Sequence, residues 1–204
     1  MRDIPTTPAR RALTAAASLV LIGLIIGAQS LIPSSDEQTD PIAYSGEIGA
    51  TVDAHRFTIE VDKVQFARSV YDSKDYGDTT PIEANGIWVV AWATLTSTRD
   101  TLTTVTAELD TGGDSTYAAS TWLFNAYGGI GSSLGPGIPT RGAFVFELPE
   151  ERLVDPTLQV GVARGPGSRL QAQADIHLGL SGDALAARID AAEDSVPIPP
   201  IETR

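Results

Sequence analysis

The sequence predicts an all-β protein, an antiparallel β-sandwich behind one N-terminal transmembrane helix. Three observations predict it. Residues 12–32 run 21 positions without a charge. Beyond them, seven or eight short segments alternate apolar and polar side chains between turn signals, with no βαβ alternation. The stretch Gly86–Arg99, GIWVVAWATLTSTR, is apolar on both faces of an extended chain for its first half, as a central strand covered on two sides must be.

The uncharged run ALTAAASLVLIGLIIGAQSLI spans about 31 Å as a helix, which matches a hydrocarbon core of about 30 Å. Arg10 and Arg11 precede it. Asp36, Glu37 and Asp40 follow, with no Lys or Arg before Arg56. The positive-inside rule therefore places residues 1–11 in the cytoplasm and everything after Pro33 outside, as a single-pass membrane protein. The competing reading is a secretory signal peptide, because Ala28 and Ser30 are small residues at −3 and −1 of a cut after Ser30. The apolar run continues past that cut through Leu31 and Ile32, which favours a signal anchor. Residues 33–45, PSSDEQTDPIAYS, read as a polar linker.

The folded part is expected over residues 46–180. Gly46–Val52 is a short strand. In His55–Asp62, Phe57, Ile59 and Val61 face the core and Arg56, Thr58, Glu60 and Asp62 face water. The apolar phase then slips to Val64 and Phe66, which requires a bulge at Asp62-Lys63. Ser69–Ala84 is an acidic loop. After the central strand come strands over Thr101–Asp110 and Ser115–Phe124, joined by the turn Thr111-Gly112-Gly113-Asp114. Asn125–Pro139 is a glycine- and proline-rich loop. Gly142–Leu148 puts Phe144, Phe146 and Leu148 on one side, and Thr157–Ala163 turns Leu158, Val160 and Val162 inward. After Gly165-Pro166-Gly167, Arg169–Leu180 alternates Leu170, Ala172, Ala174, Ile176, Leu178 and Leu180 against polar residues. Ser181–Ser195 reads as a short helix capped by Ser181, with Leu185 and Ile189 one turn apart. VPIPPIETR reads as a flexible, polyproline-like tail, so residues 181–204 are a short helix and a loose end.

Composition narrows the function. The 204 residues are 42% hydrophobic, enough for a real core, and contain no cysteine. That excludes a disulfide framework, thiolate metal sites, a cysteine nucleophile and a lipidated N-terminal cysteine. Net charge is −12. Residues 1–30 carry Arg2, Arg10 and Arg11 against Asp3, a charge of +2, which leaves −14 on the rest. So acidic a surface repels phosphate backbones and argues against a nucleic-acid partner.

Residues 46–180 resemble the bacterial telokin-like, immunoglobulin-like extracellular domains, a family of unknown function that includes a secreted mycobacterial immunoprotective antigen. The resemblance is carried by SGEIGATVDAHRFTIEVDKVQF, GIWVVAWATLTS, DSTY and LGPGIPTRGAFVFELPEE. The chain departs from the family pattern after the central strand, where Ser97-Thr98-Arg99 replaces the usual Asn. The resemblance implies an immunoglobulin-like sandwich, commonly behind a membrane anchor or signal. It implies no catalytic residues.

The residues that could carry chemistry have bland readings as well. Gly131-Ser132-Ser133-Leu134-Gly135 fits G-x-S-x-G, but Pro136-Gly137 follows directly and bars the helix that a nucleophile elbow needs. His55 and His177 lie on strands and lack converging carboxylates, so no metal site is expected. In the loop 72–78, the alternate positions after Asp72 are Lys74 and Tyr76, which are wrong for calcium. Asp53, Glu60, Asp62, Glu108 and Asp110 sit mostly at outward strand positions and do not announce a glycosidase pair. Trp88, Trp92 and Trp122 read as core. Trp122 and Tyr127, beside the glycine loop, are also the best candidates for an exposed interaction surface. No cofactor is called for. The expectation is a membrane-anchored extracytoplasmic module of the cell envelope, non-enzymatic, that binds a protein or another envelope component. The alternatives are a secreted domain with cation-dependent or hydrolytic activity, and a structural spacer.

Overall fold

The computed structural model describes residues 8–29, 41–73, 79–128, 133–162 and 171–203. The chain forms two units, 1–40 and 41–204. The first contains helix α1, Pro8–Gln29. Proline suits the first helical position, where its missing N–H would have no partner anyway. Leu13, Leu19, Val20, Leu21, Ile22, Leu24, Ile25 and Ile26 are all exposed on α1. The helix starts earlier than the span expected over 12–32. Among the described residues no helix is long and apolar enough to cross a membrane, and residues 30–32, which complete the uncharged run, lie outside them.

The second unit is a β-sandwich. One sheet has the order β1–β9–β8–β5–β6, formed by Ile42–Glu47, Ala172–His177, Thr157–Val162, Val105–Asp110 and Thr116–Ala118. The other has the order β10–β3–β4–β7–β11, formed by Glu193–Ile198, Phe57–Asp72, Ile82–Ser97, Thr140–Leu148 and Glu202–Thr203, with β2 (Thr51–Asp53) paired to β3. The expected central strand is central: β4 lies between β3 and β7. Ile87, Val89, Ala91, Ala93 and Leu95 point into the dry interior, beside Phe144 and Phe146 of β7. Leu109, Leu158, Val160, Ala174 and Ile176 close it from the other sheet.

The phase slip after Val61 is a bulge, seen as a register shift between Val61 and Lys63. A second irregularity is larger. Ala67 pairs with Trp88 but Ser69 pairs with Glu83, so β4 uses five positions where β3 uses two. Gly86 lies in this insertion, and any side chain there would collide with the backbone of Leu148 and Pro149.

Several expectations change. The linker ends earlier, because Ile42–Glu47 pairs with Ala172–His177. That pairing is parallel, as is β10 with β3, so the sandwich is not wholly antiparallel. Only Thr116–Ala118 of the predicted 115–124 strand is extended in a sheet; the chain then leaves it. Helix α2, Gly182–Asp190, starts after Ser181 and buries Leu185 and Ile189 in the main core. The C-terminal segment is not a loose end. It supplies β10 and β11, because backbone groups on the outer edges of β3 and β7 accept it as sheet. The turn at 165–167 and Leu170 lie outside the described residues.

Tyr127 packs in the interior, its ring centroid 4.8 Å from that of Phe144. Its hydroxyl donates to the Thr140 carbonyl. Burial pushes its phenol well above the ordinary tyrosine value of about 10. A raised pKa means that the unfolded state releases the proton first as pH rises. Stability from this group is therefore complete below about pH 10 and falls above it, by about 1.4 kcal/mol per pH unit. Alkaline denaturant titrations of wild type and Tyr127→Phe should show this loss in wild type and a shallower one in the variant.

Candidate interaction surface

Sheet side chains alternate, so a strand apolar on both faces needs cover on both. The outward residues of β4 and β7, Trp88, Val90, Ala143 and Val145, form a second apolar cluster with Ala67, Val70, Leu123, Ala126, Val196 and Ile198. This cover comes from the end of the β3–β4 hairpin, from β10 and from residues 119–127. The indole of Trp88 donates to the Ile82 carbonyl at 2.9 Å, which ties the hairpin end over the ring.

Residues 119–127 are held at both ends and in the middle. Ala119 N–H donates to Ala107 in the first sheet, Ser120 N–H to Val145 and Tyr127 N–H to Ala143 in the second, at 2.9, 2.7 and 2.8 Å. In the middle the buried Asp72 carboxylate accepts the N–H groups of Phe124 and Asn125 at 2.9 and 3.1 Å. A buried carboxylate is tolerable when charge-assisted hydrogen bonds replace its water. Asn125, also buried, donates from its side chain to the Ile198 carbonyl at 2.8 Å. One carboxylate and one amide thus tie β3, β10 and the 119–127 segment together.

The alternation of this segment decides what is presented. Leu123, Asn125, Ala126 and Tyr127 turn inward. Trp122 is 82% exposed and Phe124 48%. Trp122 is therefore not core, because Leu123 occupies the inward position beside it. Tyr127 is not a surface contact, because its ring fills the interior and its hydroxyl is taken by Thr140. Trp88 is buried as predicted, and Trp92 is half-buried on the outer face. No charged residue occurs between Asp114 and Arg141, so this segment presents aromatic surface without carboxylates of its own.

The other candidates are dispersed. Gly131 and Ser132 of the G-x-S-x-G stretch lie outside the described residues. Leu134 is buried and bridged to Leu102, and Pro136 to Ser97, so Ser133 is not followed by a helix. His55 has φ 63° and donates its backbone N–H to Asp53 at 2.8 Å. His177 is exposed on β9, its Nδ1 3.1 Å from the Thr157 hydroxyl. Among the described residues no group of three or more His, Asp or Glu could hold a metal. Asp72 is in the clamp, and residues 74–78 of that loop lie outside the described residues. Glu60 accepts from the Thr51 hydroxyl, Asp62 pairs with Arg141 at 3.1 Å, and Asp110 accepts the Gly112 N–H. Asp53, Glu60 and Asp62 belong to one sheet and Glu108 and Asp110 to the other.

A cavity of about 180 Å³ lies on the outer face of the second sheet, lined by Lys63, Trp92, Arg141, Gly142, Pro199, Pro200 and Glu202. No spacing along the chain marks it, since the lining comes from four separate segments. Nor did it single out Asp72 or Asn125 as a clamp, because their partners lie about fifty residues and more away.

No family model and no curated protein matches the chain. Among solved structures it is similar to an uncharacterized β-sandwich protein from Clostridium difficile 630. The identity is 15% and the TM-score 0.45, over 72% of this chain and 99% of that one.

Asp72→Ala should cost about 1–3 kcal/mol, because two buried N–H groups lose their acceptor. Trp122→Ala should stay within about 0.5 kcal/mol of wild type. Denaturant unfolding of both variants checks that the clamp is structural and the indole is not.

Proposed function

We propose that the chain is a non-enzymatic binding module of the cell envelope, an immunoglobulin-like sandwich held outside the cytoplasm by residues 12–32 as a single-pass anchor. Trp122 is the centre of the surface offered to a protein partner. The observation that carries this reading is an indole 82% exposed on a segment fixed by buried hydrogen bonds. Large aromatic side chains dominate binding energy at protein interfaces. A pre-ordered backbone lowers the entropy lost on association. The charge-free run around Trp122 supports the same reading, since charged residues are depleted at interface centres.

The anchor rests on the 21 uncharged positions, the basic flank before them and the exposed apolar side chains of α1. The acidic charge of the remainder argues against nucleic acid as the partner. The immunoglobulin-like assignment rests on the telokin-like resemblance of residues 46–180.

A photo-crosslinking residue at position 122 of the full chain should give one discrete adduct in cells, and the same residue at position 108 should give none. Equal labelling at both, or none at 122, contradicts the binding surface. The anchor is read separately. The chain should stay in the membrane pellet after alkaline washing, and Leu21→Arg with Ile25→Arg should release it.

A further inference from the structure

The geometry points to a binding site for a small zwitterion, an α-amino acid with an apolar side chain, in the cavity beside Trp92. The cavity lies on the outer face of the second sheet and is separate from the reading of Trp122.

Its charges define the ligand. Arg141 is committed to Asp62 through Nη2 at 3.1 Å, while its Nε–H is buried without a partner. The Lys63 ammonium stands 5.3 Å from the centroid of the Trp92 ring, a weak cation–π contact that leaves its donors available. Among the described residues Lys63 makes no ion pair. Glu202 is the register partner of Arg141 across β11 and β7, yet among the described residues it too makes no ion pair. With the Arg141–Asp62 pair set aside, the cavity retains one unpaired positive and one unpaired negative charge. A simple anion would satisfy Lys63 and be repelled by Glu202, and a simple cation the reverse. A molecule with a carboxylate and an ammonium group satisfies both.

The remaining wall is apolar: the Trp92 ring, Pro199 and Pro200. The indole is held in place, its N–H donating to Gln65, whose own amide donates to Glu193. About 180 Å³ is room for one small molecule. An apolar side chain against Trp92 and the prolines, the carboxylate toward Lys63 and the ammonium toward Glu202 use the apolar wall and both unpaired charges.

Lys63 and Glu202 are both exposed, so their replacement leaves the core untouched. The test is equilibrium dialysis of the full chain in detergent with L-leucine, 4-methylpentanoate, isoamylamine and N-acetyl-leucinamide. Leucine should bind at millimolar strength, as solvent-screened charges allow, and the three analogues more weakly. Lys63→Ala and Glu202→Gln should each weaken leucine binding about fivefold. Glu202→Gln should leave 4-methylpentanoate, which has no ammonium group, no weaker. Thermal midpoints of both variants should match wild type. No leucine binding, equal binding of leucine and a single-charge analogue, or unchanged affinity in both variants would overturn the proposal.

Discussion

The rest of the structure depends on the burial of β4 on both faces. Ile87, Val89, Ala91, Ala93 and Leu95 face one way and Trp88 and Val90 the other, all excluded from water. A two-layer sandwich covers only the first set. The second set forces an extra layer onto the outer face of the sheet. The hairpin end turns over it at the long irregularity between Ala67 and Ser69, β10 joins the edge of β3, and residues 119–127 cross over. Burying Trp88 and its neighbours then requires polar groups to be buried with them. Asp72 and Asn125 are the two that saturate the crossing backbone.

The same layer decides what the molecule shows. A segment that must put Leu123 and Asn125 inward puts Trp122 and Phe124 outward. It also settles the fate of the β3 edge, an invitation to pair with another chain. β2 takes residues 58–60 of that edge and β10 takes residues 67–72. In the gap between them Arg188 from α2 donates to the Val64 carbonyl at 3.1 Å. The C-terminal segment is therefore part of the fold, with α2 buttressing the core through Leu185 and Ile189 and β10 and β11 occupying both outer edges of the second sheet.

Period and phase carried the strands. The two apolar faces of Ile87–Leu95, the inward Phe144 and Phe146, and the slip at Asp62-Lys63 were all legible, because each is a local pattern. What was not legible depends on partners distant in sequence. Residues 42–45 look like linker until Ile42–Glu47 meets Ala172–His177. Val196, Pro197 and Ile198 look like the start of a free polyproline segment until they lie along β3. Trp122 and Tyr127 were opposite cases of the same difficulty. Both are large aromatics beside a glycine-rich loop, and only the clamp at Asp72 and the carbonyl of Thr140 decide which turns in. The cavity at Trp92 gathers side chains from β3, β4, β7 and the C-terminal segment, so no spacing along the chain could announce it.

Native-state hydrogen exchange of the β4 amides tests the double burial most directly. If both faces are covered, the amides of residues 87–91 exchange only through global unfolding, at a rate set by the full stability of the domain. Exchange of those amides faster than those of β8 or β9, as for a strand with one wet face and a loose cover, would contradict the account.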